Sequence, residues 1–188
     1  MMNEVHEKDY KKLLAVLEEQ NIEYNLDAIR KAYECCIDAH NGQYRFSKEE
    51  YYVHPLSVAI ILAQMGMDSE CIEAALLHDV IEDTPITHEN VEKEFGSSVA
   101  NLVEGVTKLG KIQFTSKEEF QSENLRKMLI AMNEDIRVII IKLADRLHNT
   151  RTFDSLDEAK RREKARETLE VYAPIAHRLG VRTIKEEL

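Results

Sequence analysis

The chain has 188 residues, 44% of them hydrophobic and 32% charged, with a net charge of −10 at neutral pH. That length suits a single domain over residues 1–188, able to bury a core without disulfide or metal staples. The acidic excess excludes a basic nucleic-acid coat or a polybasic membrane-surface protein. With only Gly 6 and Pro 3, far below the roughly 12% the two usually make up, the composition predicts an all-α chain.

Residues 2–20 read as a first amphipathic helix, with Leu13, Leu14, Val16 and Leu17 apolar. Asn25 or Asp27 caps a second helix that runs to about His40, and its apolar set Ile29, Ala32, Tyr33, Cys36 and Ile37 keeps helical spacing. Gly42 ends it, and the aromatic stretch GQYRFSKEEYYV predicts an ordered loop or a small hairpin near 43–53. His54-Pro55 opens a third helix that closes at Gly66, since proline suits a first turn and glycine a C-terminal cap. Asp68 or Ser69 caps a fourth, CIEAALLHDVIED, which Thr84-Pro85 stops. Thr87 caps a short helix to Gly96, and Ser97 or Ser98 begins another to Gly110. Residues 111–119 read as a mobile polar loop, followed by helices at about 118–133 and 135–151. A last long helix runs from Asp157 to Leu179 with a kink at Pro174; the alternating charges of 158–170 predict a solvated face.

Cys35, Cys36 and Cys71 are odd in number and form no CxxC pair, so they read as small buried side chains. The N-terminus is polar, and no apolar run approaches the roughly 20 residues of a membrane span. A soluble protein of the cytoplasm is the expectation. The chain stops in uncapped helix-forming sequence, which suggests a longer parent.

Three places set ionisable residues into apolar helices. His78, Asp79, Glu82 and Asp83 share the fourth helix, with His78/Glu82 and Asp79/Asp83 each four apart and so on neighbouring stripes. Asp145 and Asn149 repeat the spacing after Val138–Ile141, and His54 opens the third helix. Burial of such groups is costly unless partners or a metal neutralise them. Imidazole and carboxylate suit a divalent cation, which acidifies water toward neutrality; Glu82 or Asp83 then serves as general acid or base, and Asn149 orients water or phosphate. Each piece alone also fits a plainer role: a helix salt bridge or satisfied core histidine at His78-Asp79, a surface pair at Asp145-Arg146, a polar helix end at Glu82-Asp83.

The strings AALLHDVIEDT, LVEGVTKL, ENLRKMLIAM, IRVIIIKLADRLHNTRT and ETLEVYAPIAHRLG resemble the hydrolase domain of the RelA/SpoT-homologue family, over about residues 33–188. The resemblance implies an HD-domain metal-dependent phosphohydrolase helical bundle. It implies removal of the 3′-pyrophosphate of guanosine tetra- or pentaphosphate (ppGpp, pppGpp), giving GDP or GTP in stringent-response control. His54, His78, Asp79 and Asp145 match the ligands of one Mn²⁺, with iron or zinc also suited to the donors. Glu82 and Asp83 match the acidic pair that promotes hydrolysis, and Asn149 a residue that places the pyrophosphate. Arg45, Ser47, Arg146, Thr152 and Tyr172 stand as nucleotide-binding positions; Lys108, Lys111 and Lys142 are further basic residues within the motifs. The family loop commonly reads Arg-Lys-Ser-Gly-Glu-Pro-Tyr; here it is Arg45-Phe46-Ser47-Lys48-Glu49-Glu50-Tyr51. Two alternatives accompany this reading: another phosphorylated nucleotide such as NADPH as substrate, or a nucleotide-sensing module with weak hydrolysis. Synthetase and regulatory domains in a longer parent are implied, with no synthetase activity in these residues and no nucleic acid or membrane partner.

Overall fold

The computed structural model describes residues 2–110 and 135–187. The expected polar loop at 111–119, the helix at 118–133 and Lys111 lie outside these residues. Packing divides the chain into two compact units, Met1–Thr107 and Lys108–Leu188. Among the described residues there are helices and no strands, as an all-α chain requires, and no helix is long and apolar enough to cross a membrane.

The first unit starts with α1 (Glu4–Glu19), where the Asn3 side chain accepts from the amides of Val5 and His6 and so satisfies two donors that no helix turn can reach. α2 (Leu26–Ala39) is capped by Asn25, not Asp27, and buries all five residues of its apolar stripe. α3 (Val53–Gln64) begins one residue ahead of His54-Pro55, and Gly66 follows its end with φ of 69°, the left-handed turn expected of a C-terminal glycine. α4 (Ser69–Leu77) is capped by Asp68, and Cys71 through Leu77 are all buried. α1 packs on α3, and α4 packs on both α2 and α3. Leu13, Ile29, Tyr33, Leu62, Ile72 and Leu76 fill the core between them.

Between α2 and α3 the chain forms an ordered loop closed by a single antiparallel bridge, Tyr44 to Glu50. The Arg45 amide donates to the Glu49 carbonyl and the Lys48 amide to the Arg45 carbonyl. Lys48 turns the chain with φ of 69°, a conformation that strains a residue with a Cβ.

The fourth helix departs from the expected continuous run. It breaks at His78-Asp79 and resumes as α5 (Val80–Asp83). His78 Nδ1 lies 2.7 Å from the Ala75 carbonyl, the acceptor that a continuing helix would offer to the Asp79 amide, so the side chain competes with the backbone there. α6 (His88–Phe95) carries a Thr87/Asn90 capping box and ends at Gly96; α7 spans Ser97–Gly110.

In the second unit Asp135 caps α8 (Ile136–Arg151), which buries Val138, Ile139, Ile141, Leu143 and Leu147. A 3₁₀ turn follows at Phe153–Ser155. The expected long helix is three pieces: α9 (Glu158–Glu167), capped by Asp157 and without a buried residue, a π-helical turn at Thr168–Tyr172, and α10 (Ala173–Arg178). The interruption comes before Pro174. Proline has no amide to give the Glu170 carbonyl, and the helix widens so that the Ala173 amide reaches back to Thr168. α11 (Arg182–Glu187) closes the unit, packing on α8 and α10.

Candidate metal centre

The expected ligands divide between the units: His54, His78 and Asp79 in the first, Asp145 in the second. α3 and the end of α4 bring the two imidazoles side by side, ring centres 5.2 Å apart. His54 is 2% and His78 1% exposed, since α3 and α4 bury most of the side chains they carry. Both nitrogens turn to one carboxylate: His78 Nε2 is 3.2 Å from Asp79 Oδ1 and His54 Nε2 is 3.8 Å from Asp79 Oδ2. The helix break makes this possible, since two consecutive residues on a regular helix point about 100° apart.

A carbonyl only accepts, so the Ala75 contact fixes the hydrogen of a neutral His78 ring on Nδ1 and leaves Nε2 as a lone pair. A lone pair facing a carboxylate oxygen is repulsive until a positive charge lies between or beside them. The donor set thus fits a divalent cation, with N and O ligands of the kind such ions take and a backbone carbonyl orienting the ligand imidazole.

The acidic pair sits directly after these ligands. Glu82 and Asp83 are exposed at the end of α5, and their amides both donate to the Asp79 carbonyl. The loop ending in Tyr51 closes over them. Tyr51 Oη lies 3.0 Å from Asp79 Oδ2 and 2.7 Å from Asp83 Oδ2. Burial first, then the negative charge of Asp79 and the bond to Asp83, push the Tyr51 hydroxyl far above its ordinary value of 10, so it stays a neutral donor. Sequence reasoning passed over Tyr51 as one more aromatic of the loop.

The second unit places its residues just as closely. Asp145 is 5% exposed. Its Oδ2 accepts from Lys142 Nζ at 2.7 Å and its Oδ1 from Asn149 Nδ2 at 2.6 Å. Asn149 is therefore joined to an expected ligand through one turn of α8. His54, His78 and Asp145 are the buried members of the ligand set, each offering one ligand atom.

The expected nucleotide contacts are placed less directly. Arg45 lies over the Tyr51 ring at 6.0 Å, and Ser47 Oγ donates to Glu49. Thr152 ends α8, its hydroxyl donating to the Asn149 carbonyl. Arg146 and Tyr172 are engaged with each other. The guanidinium is 4.2 Å from the Tyr172 ring centre and 3.0 Å from Glu167, and both residues are buried. They brace α8 against the π-helical turn.

The sequence profile of the HD domain matches residues 32–182. The chain belongs to the HD domain family. Several of its relatives carry guanosine-3′,5′-bis(diphosphate) hydrolysis in their names, and others are named GTP pyrophosphokinase. The bifunctional (p)ppGpp synthase/hydrolase SpoT of Escherichia coli K12 is 59% identical over 166 residues, 88% of this chain and 24% of that protein. The guanosine-3′,5′-bis(diphosphate) 3′-pyrophosphohydrolase of Aquifex aeolicus is 50% identical over 182 residues, 97% of this chain and 25% of that protein. A solved structure of a metazoan orthologue of SpoT, which hydrolyses ppGpp and plays a role in starvation responses, matches with a TM-score of 0.61 and 28% identity. That match covers 76% of this chain and 82% of the other. This HD domain spans about a quarter of the length of the curated relatives it matches.

Proposed function

We propose that this HD domain hydrolyses the 3′-pyrophosphate of guanosine tetra- or pentaphosphate, releasing GDP or GTP. His54, His78, Asp79 and Asp145 would hold a divalent cation, manganese in the first instance. The observation that carries the reading is the turning of two buried imidazole nitrogens onto the Asp79 carboxylate, one turn ahead of a second carboxylate pair. The names of two relatives, 59% and 50% identical, supply the substrate class.

A bound divalent cation supplies acidified water and neutralises phosphate charge. The chain's own residues do the rest. Glu82 and Asp83 accept the proton of the attacking water and return one to the leaving group. Asn149 orients the pyrophosphate through its amide, while Asp145 fixes the position of that amide. Arg45, on the loop above Tyr51, offers a planar cation to the guanine base. Lys142 adds positive charge on the side of Asp145.

The test is direct. Purified protein is incubated with guanosine tetraphosphate and Mn²⁺, and nucleotide products are separated. GDP and pyrophosphate in equal amounts support the reading; no release above a metal-free control refutes it. The loop favours one variation worth including. Phe46 stands 74% exposed where the family loop commonly carries a base, so a panel with NADPH tests whether the substrate has changed while the metal chemistry has not. Synthetase and regulatory activities of a longer parent are proposed to lie outside these residues.

A further inference from the structure

Asp83 has little of its own to hold it. It ends a helix of four residues, too short to be rigid without tertiary support, and its side chain is exposed. Yet a proton-transferring carboxylate needs a fixed place. The loop before α3 provides two holds. Gln43 Nε2 donates to the Asp83 backbone carbonyl at 3.1 Å, and the Tyr51 hydroxyl meets the Asp83 carboxylate at 2.7 Å. The same hydroxyl is 3.0 Å from Asp79. Tyr51 is itself held: its ring stacks on His40 with centres 4.5 Å apart and planes 19° apart, and its edge meets His54. His40 Nδ1 lies 2.8 Å from Gln43 Oε1. The contacts therefore close on themselves, from His40 to Gln43 to Asp83 to Tyr51 and back to His40, within one unit.

We propose that Tyr51 is a positioning residue that couples the metal ligand Asp79 to the acid–base residue Asp83, with His40 and Gln43 as its brace. A phenol has one hydrogen, so the two carboxylates share one donor. Whatever fixes Asp79 thereby decides how firmly Tyr51 holds Asp83. Cation binding and correct placement of the proton carrier become one event. This inference rests on the reading of the site as a metal-dependent hydrolase.

Tyr51→Phe removes the hydroxyl and keeps the ring that stacks on His40. Mn²⁺ alone is titrated calorimetrically into wild type and variant, and steady-state hydrolysis of guanosine tetraphosphate is measured beside it. Groups that orient metal ligands typically contribute 10–100-fold. The expectation is a Kd for Mn²⁺ raised about tenfold and a kcat lowered 10–100-fold, with KM within about threefold and the melting temperature little changed. A Kd and a kcat both equal to wild type overturn the proposal. Gln43→Leu is the second variant; it lowers kcat with the Mn²⁺ Kd unchanged, and it decides the matter if Tyr51→Phe fails to fold. Wild type that neither binds Mn²⁺ nor releases GDP refutes the hydrolase reading instead, and so the two failures are told apart.

Discussion

Glu73 is a buried carboxyl of the first unit. It lies on the buried run of α4 with 5% of its surface exposed. Burial raises its carboxyl from 4.5 to about 7, and the negative charges of Glu70 and Asp68 add to the effect. At roughly 1.4 kcal/mol per pH unit, ionising Glu73 in the folded protein costs about 3 kcal/mol. The sign follows from linkage. Between about pH 4.5 and pH 7 the folded state binds a proton that the unfolded state has lost, so stability falls as pH rises through that window. Below it the carboxyl is neutral in both states and nothing is lost; above it the full cost is present and constant.

Glu73→Gln keeps the shape and removes the charge. Urea or thermal unfolding of both proteins, with chelator present, should give equal stabilities near pH 4. At pH 8 the variant should be about 3 kcal/mol more stable, roughly 6–12 °C in melting temperature for a chain of this size. Groups common to both proteins cancel in the difference. Curves that run parallel from pH 4 to pH 8 would refute the reasoning, because they would mean that Glu73 ionises as easily inside as in water.

Asp145→Ala should abolish both Mn²⁺ binding by calorimetry and turnover, since it removes a proposed ligand. Glu82→Gln should retain the metal and lower kcat by 10²–10⁴, the usual contribution of a positioned acid or base; normal turnover in the variant would disprove its role. Lys48→Gly should raise stability by about 0.5–1 kcal/mol, because the strain of a left-handed lysine at φ of 69° disappears, and chemical denaturation reads this directly. Arg146→Ala should destabilise by about 1–3 kcal/mol in the same assay, because the buried guanidinium's packing on Tyr172 and its bond to the half-buried Glu167 are both lost. If it instead raised KM at unchanged stability, Arg146 would be a substrate contact and not a brace.

What the sequence made legible was whatever depends on near neighbours. Asn25, Asp68 and Thr87 cap helices where short polar residues precede periodic apolar ones, and the stripe of α2 needed only helical arithmetic. The same arithmetic misplaced the region of His78 and Asp79, because it assumes an unbroken helix. There the imidazole takes the Ala75 carbonyl, and a side chain rather than a breaker residue ends α4. Pro174 marked the right helix for interruption, but the widened turn precedes it, where the missing amide is felt. Tyr51 was the largest omission. Its partners Asp79 and Asp83 are 28 and 32 residues away in the chain, and no local pattern records a contact of that range. Glu73 was hidden for the converse reason: an acidic residue near a helix start looks solvated until the neighbouring helices are packed around it.

The net charge of −10 excluded a nucleic-acid coat, yet the proposed substrate carries at least four phosphate groups. The resolution is local. Part of the acidic excess (Asp79, Glu82, Asp83 and Asp145) is the proposed site itself, and a divalent cation among these residues offsets half of their formal charge and gives phosphate oxygens a local positive centre to meet. Attraction at long range is screened within about 8–10 Å at physiological salt, so the protein's overall charge matters less than that local positive centre. Guanosine tetraphosphate should therefore bind the metal-loaded protein at least tenfold more tightly than the chelated one, measured by calorimetry with Glu82→Gln to prevent turnover. Equal affinity with and without the ion would show that the acidic cluster is not where the phosphates go.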